Sequence, residues 1–159
     1  MNNFDFKVVH ITEQYFRERT HFKKMLDPGD YSKQQRRRYL FLKIQYKGNN
    51  LMVPLRRNLG NPIKPYGVVG FSVPSSTRPN AGLDYRYILI VNDDRYLIEE
   101  QSDFSRAQQN IIRSNISIIE REVKSYVDSY VRMAKKERIH REAKFRESSL
   151  INFHEELKI

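Results

Sequence analysis

The sequence predicts an α+β fold, an antiparallel β half followed by a long C-terminal helix. Short β-branched and aromatic runs, separated by turn residues, fill the stretch from Lys7 to Ile98. Further on, Ile112, Ile116, Ile119, Val123, Tyr126, Tyr130 and Met133 recur at alternating spacings of four and three. That is the period of one helix face.

The elements follow in order. Lys7 to Ile11 reads as a strand. Thr12 and Glu13 can start a helix whose apolar face holds Tyr15, Phe16, Phe22, Met25 and Leu26, and Asp27-Pro28-Gly29-Asp30 stops it. Tyr31 to Arg38 is polar and basic and reads as an exposed loop. Tyr39 to Tyr46 is the clearest strand, Lys47 to Asn50 a turn and Leu51 to Leu55 the return strand of a hairpin. Pro54 has no N–H for a ladder, which predicts an edge or strand-end position. Long loops holding Gly60, Pro62, Pro65 and Gly67, then Pro74 to Gly82, flank a strand over Val68 to Val73. Tyr85 to Val91 reads as a strand, Asn92 to Asp94 as a turn and Arg95 to Ile98 as a last short strand. Asp103 is the expected cap of the long helix, which can run on into the charged stretch Lys135 to Arg146. Ser148 or Ser149 can start a final short helix reaching Leu157. The helix stripe suits a core helix packed on the sheet; the alternative is a coiled-coil seam between chains.

Composition narrows the function. The chain has 159 residues, a length that predicts one domain over 1–159. It is 39% hydrophobic with 10 Tyr and 9 Phe, which is globular rather than disordered. Its 29 Lys and Arg against 19 Asp and Glu give a formal charge of +10 and favour a polyanionic partner, nucleic acid before an acidic membrane surface. The absence of cysteine excludes disulfides, thiolate zinc sites and cysteine nucleophiles, and fits a reducing cytoplasm. No basic start with an apolar run opens the chain, and the longest uncharged stretch, Pro65 to Thr77, cannot span a bilayer, so no membrane partner is expected.

Catalytic motifs are few. His10, His21, His140 and His154 fall in no ligand spacing, and no P-loop, dinucleotide fingerprint or nucleophile elbow is present. Asp93-Asp94 and Glu99-Glu100 read as turn and strand-end solubilisers, so neither a metal nor another cofactor is expected. What remains is a cationic, hydroxyl-rich and aromatic set in the loops: Tyr31, Lys33, Arg56, Arg57, Asn58, Lys64, Tyr66, Ser72, Ser75, Ser76, Thr77, Arg78, Asp84 and Tyr85. Arg and Lys clamp phosphates, hydroxyls hydrogen-bond them, and aromatics stack unpaired bases. Such a set suits metal-independent RNA cleavage, in which the substrate's own 2′-OH attacks the adjacent phosphorus and the protein supplies proton transfer and cations. It equally suits an RNA- or DNA-binding regulator without catalysis.

The order of parts carries a resemblance. Tyr39-Leu-Phe-Leu-Lys-Ile-Gln-Tyr-Lys-Gly and Leu51-Met-Val-Pro-Leu-Arg-Arg-Asn are followed by Gly82-Leu-Asp-Tyr-Arg-Tyr-Ile-Leu-Ile-Val, Tyr96-Leu-Ile and a helix with Asn115, Ile119, Tyr126 and Tyr130. This resembles the endoribonuclease toxins of type III toxin–antitoxin systems, the ToxN, AbiQ, CptN and TenpN group, and is most similar to the CptN and TenpN branches. The resemblance implies an SH3-like barrel, like that of the Kid and MazF toxins, with added helices. It implies a sequence-specific, metal-independent endoribonuclease that acts on target mRNA and leaves a 2′,3′-cyclic phosphate. A small repeated pseudoknot RNA would inhibit it in a closed protein–RNA assembly, and abortive defence against phage is a possible role of such systems. It also implies catalytic positions at Arg56, Arg57 and Asn58, where the family commonly places a hydroxyl beside a cation and this chain has no hydroxyl. Tyr31 and Lys33 would face the same site. Arg36, Arg37, Lys64, Ser76, Thr77, Arg78, Asp84 and Tyr85 are the expected RNA contacts, with Asp84 alternatively orienting an arginine.

Overall fold

A computed structural model describes residues 6–42, 46–99 and 105–159. The β-branched run at the start forms β1 (Phe6–Ile11). Thr12 caps α1 (Glu13–Arg17) by accepting from the Tyr15 backbone N–H, and Tyr15 and Phe16 are buried. The helix predicted to reach Leu26 ends at Arg17 because the chain folds back on itself. That path lays the Phe22 ring against Tyr15 and Phe153, with centroids 6.4 and 5.4 Å apart, and it needs positive φ at Lys24 and Asp27.

The loop expected over Tyr31 to Arg38 is instead α2 (Tyr31–Arg36) leading into β2 (Arg38–Leu42). Asp30 caps α2, its carboxylate accepting from the Lys33 N–H at 3.0 Å. Only Gln34 of this helix is buried, so its sequence carries no apolar stripe. The predicted extension of β2 through residues 43–45 lies outside the described residues. Tyr46 bridges to Asn49 across the turn, where Lys47 and Gly48 take positive φ.

β3 (Leu51–Arg56) is an interior strand, contrary to the edge expected from Pro54. After it come the short hairpin β4 (Ile63–Lys64) and β5 (Gly67–Val68), then β6 (Gly70–Ser72), β7 (Gly82–Asp84), β8 (Leu89–Ile90) and β9 (Leu97–Glu99). On one side β3 pairs with β2 throughout. On the other it pairs with β8 at Leu51 and Met52 and with β7 at Leu55 and Arg56. Pro54 falls where one neighbour hands over to the next, so its missing N–H breaks no ladder. The strand expected over Val68 to Val73 is split into β5 and β6 by Val69, whose N–H bonds Pro62 O and whose carbonyl accepts from Tyr85 N. Tyr85 to Val91 is not one strand: residues Tyr85–Tyr87 form a 3-10 turn capped by Asp84 before β8. Likewise Asp94–Tyr96 is a 3-10 turn ahead of β9.

The large sheet runs β6-β7-β3-β2-β1-β9 with antiparallel pairings. Among the described residues its outer strands β6 and β9 do not pair with each other, so the ladder is open where a closed barrel was expected.

α3 (Arg106–Lys135) covers the sheet. Its expected cap, Asp103, lies outside the described residues; Ser105 holds the cap position. Ile112, Ile119, Val123, Tyr126 and Tyr130 are buried in the chain's own core, with Ile116 and Met133 packed against it. The stripe is core and not a seam. The helix stops at Lys135, and positive φ at Glu137 turns the chain away before the charged stretch. The tail then straps back over α3. Phe145 packs on the Tyr126 and Tyr130 rings, Ser148 caps a 3-10 turn Ser149–Phe153, and Ser149 Oγ donates to the Ile88 carbonyl. The short final helix expected to reach Leu157 is this 3-10 turn. Ile119→Ala should cost about 2–5 kcal/mol, since the side chain is fully buried and leaves a cavity. Urea melting checks this, and parental stability with lost self-association would restore the seam.

No described helix is long and apolar enough to cross a membrane.

Candidate nucleic-acid interface

The end of β3 delivers Arg56 to a buried carboxylate. Arg56 pairs in register with Gly82, two residues before Asp84. β6 and β7 approach so closely there that a Cβ at Gly70 would lie 2.3 Å from the Leu83 carbonyl oxygen. Only glycine allows that approach, and it sets Asp84 deep in the sheet, at 0% exposure.

Asp84 is saturated with donors. Arg56 Nη1 reaches Oδ2 at 3.1 Å. Arg86 donates Nε to Oδ1 and Nη2 to Oδ2, both at 2.9 Å, and its backbone N–H to Oδ1 at 3.1 Å. The Arg86 pair is a bidentate fork. Both guanidiniums lie over the Tyr87 ring, 5.4 and 5.8 Å from its centroid. One carboxylate thus braces two arginines, and the cluster keeps a net positive charge. The Arg56 side chain remains 31% exposed and the Arg86 side chain 18%. A guanidinium has five N–H donors, so Arg56, tied to Asp84 through Nη1, retains donors for a phosphate.

Electrostatics fit that arrangement. Hydrogen bonding to Asp84 raises the Arg86 pKa. Burial, then the Asp84 charge, raises the Tyr87 pKa and keeps its phenol protonated at neutral pH. Nearby, Lys144 from the tail packs against Gly67, where an added Cβ would lie 3.4 Å from its Nζ. Burial lowers the Lys144 pKa.

The candidate residues divide. Arg57 and Asn58 are exposed in the turn leaving β3, so strand alternation directs Arg56 inward and Arg57 outward. Tyr85, expected as an RNA contact, is buried, and its hydroxyl donates to Glu122 on α3 at 2.7 Å. Asp84 is likewise inaccessible and acts by orienting arginines. Lys64 is half-buried in the β4–β5 hairpin, beside exposed Tyr66. Ser76, Thr77 and Arg78 are exposed in a turn that Ser75 closes onto the Arg78 N–H. Arg36 is exposed on α2, whereas Arg37 is largely buried and ion-paired with Asp27, so it is no free RNA contact. Lys33 pairs with the same Asp27 at 3.3 Å, and the Arg17 guanidinium lies 5.0 Å from the centroid of the Tyr31 ring. The β2–β3 register, Tyr39 opposite Pro54, places the exit of α2 at the sheet end that carries Arg56. Sequence reading missed Arg86, Tyr87 and Lys144. The signal for the first was Asp84-x-Arg86, since a capping Asp followed by Arg two residues on can chelate its own turn.

Asp27 gives a pH-dependent check. Burial disfavours its charge, but hydrogen bonds and charge from Arg37 and then Lys33 outweigh burial and lower its pKa. A folded pKa below the unfolded one contributes stability at higher pH that is lost as pH falls through the folded value. Asp27→Asn is therefore expected to flatten the stability profile below about pH 4. Melts that retain the parental slope there would contradict the assignment.

With +10 charge on the chain, RNA affinity should fall steeply with salt, by roughly 0.7 in log–log slope per neutralised phosphate on a single strand. An affinity indifferent to salt would rule out a phosphate-dominated interface.

No family model and no curated protein matches the chain. A solved structure does. It comes from a bacterial type III toxin–antitoxin system in which the toxin is selectively inhibited by a non-coding RNA pseudoknot. The match covers 77% of this chain and 77% of that one, at a TM-score of 0.59 and 17% identity. The shared property is the fold: an antiparallel sheet with a long C-terminal helix.

Proposed function

We propose that this chain is a metal-independent endoribonuclease, the toxin of a type III toxin–antitoxin system held in check by a small repeated pseudoknot RNA. The observation that carries the proposal is the fold shared with the RNA-inhibited toxin system over 77% of the chain. The arginine pair braced on Asp84 at the end of β3 supports it, because it supplies fixed cations where a phosphate can approach.

In this reading the RNA 2′-OH attacks the adjacent phosphorus and the bond to the 5′ oxygen breaks. The products are a 2′,3′-cyclic phosphate and a 5′-OH. Arg56 meets the charge that develops on the phosphorane oxygens. Arg86 fixes Asp84, and through it Arg56. The Tyr87 phenol, kept protonated, donates to the leaving oxygen. Lys144, more readily neutral than an exposed lysine, accepts the 2′-OH proton. Arg57, Arg36, Lys64 and the Ser76–Arg78 turn hold the flanking backbone of target mRNA. Tyr31 and Lys33 approach from α2 at the same sheet end. The antitoxin RNA covers this face in a closed protein–RNA assembly, and defence against phage is the role such a pair would serve.

Expression of the chain alone should arrest growth of a bacterial host. Co-expression of short tandem repeats transcribed from the DNA upstream of its coding region should restore growth. Harmless expression of folded protein, or arrest that no upstream repeat relieves, would overturn the antitoxin part of the proposal.

A further inference from the structure

Beside the junction of α1 and α2 lies a cleft separate from the Arg56 cluster. It encloses about 360 Å³, open solvent at its mouth included, within the range of small-molecule sites. Phe16, Phe22, Met25 and Pro28 make it apolar, and Arg19 and Gln34 are its polar groups. Gln34 is 5% exposed. Its Nε2 donates to the Leu26 carbonyl at 3.1 Å, which fixes which way the amide points. Its Oε1 is buried without a partner. A buried acceptor left unmatched is unfavourable, so such a group marks a place for an N–H from outside.

Arg19 is held in place for a matching role. Its guanidinium lies 4.0 Å from the Tyr15 ring centroid and 4.9 Å from that of Tyr96, and Nη1 donates to the Tyr15 carbonyl at 3.3 Å. Arg17, over the neighbouring Tyr31 ring, adds a second cation near the cleft.

We propose that this cleft takes one unpaired nucleobase of an RNA strand and prefers adenine or cytosine. The inference rests on the RNA-binding part of the function proposed above. Apolar and aromatic walls suit the faces of a base, and the cations suit its flanking phosphates. Gln34 Oε1 needs a donor and Arg19 offers donors. Adenine and cytosine present a complementary edge, an exocyclic amino group beside a ring nitrogen acceptor. Uracil presents the reverse, one N–H between two carbonyls, which sets an oxygen against Oε1.

The test is binding of fluorescent 2′-O-methyl pentamers, which cannot be cleaved by 2′-OH attack, of adenine, cytosine or uracil. The adenine and cytosine pentamers should bind roughly tenfold more tightly than the uracil pentamer, the worth of about one matched hydrogen bond to a buried group. Gln34→Met should erase that preference while leaving the uracil pentamer's affinity unchanged. Thr20→Trp, at an exposed position on the rim, should weaken the adenine pentamer to the same level by filling the cleft, and it covers the case in which the Gln34 variant melts early. Equal affinities in the parent, or a preference that survives Thr20→Trp, would overturn the proposal. AMP bound as tightly as the pentamer would reassign the cleft to a free nucleotide and overturn it as an RNA subsite. RNA bound and cleaved without base preference sinks this inference alone; no binding of any pentamer sinks both it and the proposed function.

Discussion

Arg56→Ala is expected to abolish RNA cleavage, lowering kcat/KM by about 10²–10³-fold, the usual loss when one preorganised donor to a developing oxyanion is removed. The fold should survive. Asp84 keeps its bidentate bond and backbone bond from Arg86, so no carboxylate is stranded. The Arg56 side chain is already 31% exposed, so little apolar burial is lost. Arg56→Lys should recover little activity, because a point charge replaces a fork that binds Asp84 and phosphate at once. Arg57→Ala is the contrast: its exposed side chain should cost RNA affinity while cleavage stays near the parental rate. Cleavage assays on variants that melt like the parent decide this. Full activity in the Arg56→Ala, Arg57→Ala double variant would move the centre to Lys64 and the Ser76–Arg78 turn.

Asp84→Ala is expected to destabilise the protein by about 3–5 kcal/mol, the range for removing one partner of a buried ionic cluster. The two guanidiniums would then face each other without the carboxylate between them, and the capped turn at Tyr85–Tyr87 would lose its acceptor. Asp84→Asn keeps one oxygen acceptor and should fall between the parent and the Ala variant. Denaturant midpoints give the comparison. An Ala variant within about 0.5 kcal/mol of the parent, the spread of ordinary surface changes, would show that the arginines are solvated charges and not a braced pair.

Much of this was legible in the sequence, for identifiable reasons. The stripe from Ile112 to Met133 announces a helix that buries one face, and the run at Leu51 to Leu55 announces a strand, because apolar periodicity reports burial. α2 was hidden because it buries one polar residue, Gln34, and its signal was the cap at Asp30 alone. The interior position of Pro54 was hidden because it depends on β8 and β7 sharing one side of β3, a tertiary fact. At the candidate site, Arg56 and Asp84 stood out as a strand-end cation and a possible orienting acid, and their contact joins positions 28 apart in the chain. Tyr85 looked like a surface aromatic in a Gly-Leu-Asp-Tyr run. Its neighbour Asp84 ends β7 as the cap of a 3-10 turn, and the turn carries the Tyr85 ring under α3, where Glu122 takes its hydroxyl. Lys144 sits in a charged stretch whose composition says only that it is solvated, and the strap of the tail over α3 is what buries it.

The most direct measurement is the chemistry of the RNA ends. Purified protein incubated with total RNA in excess EDTA should cut at defined sites and leave 2′,3′-cyclic phosphate and 5′-OH termini, with no products from Arg56→Ala. Intact RNA, or cleavage that requires a divalent metal and leaves 3′-OH ends, would contradict the account.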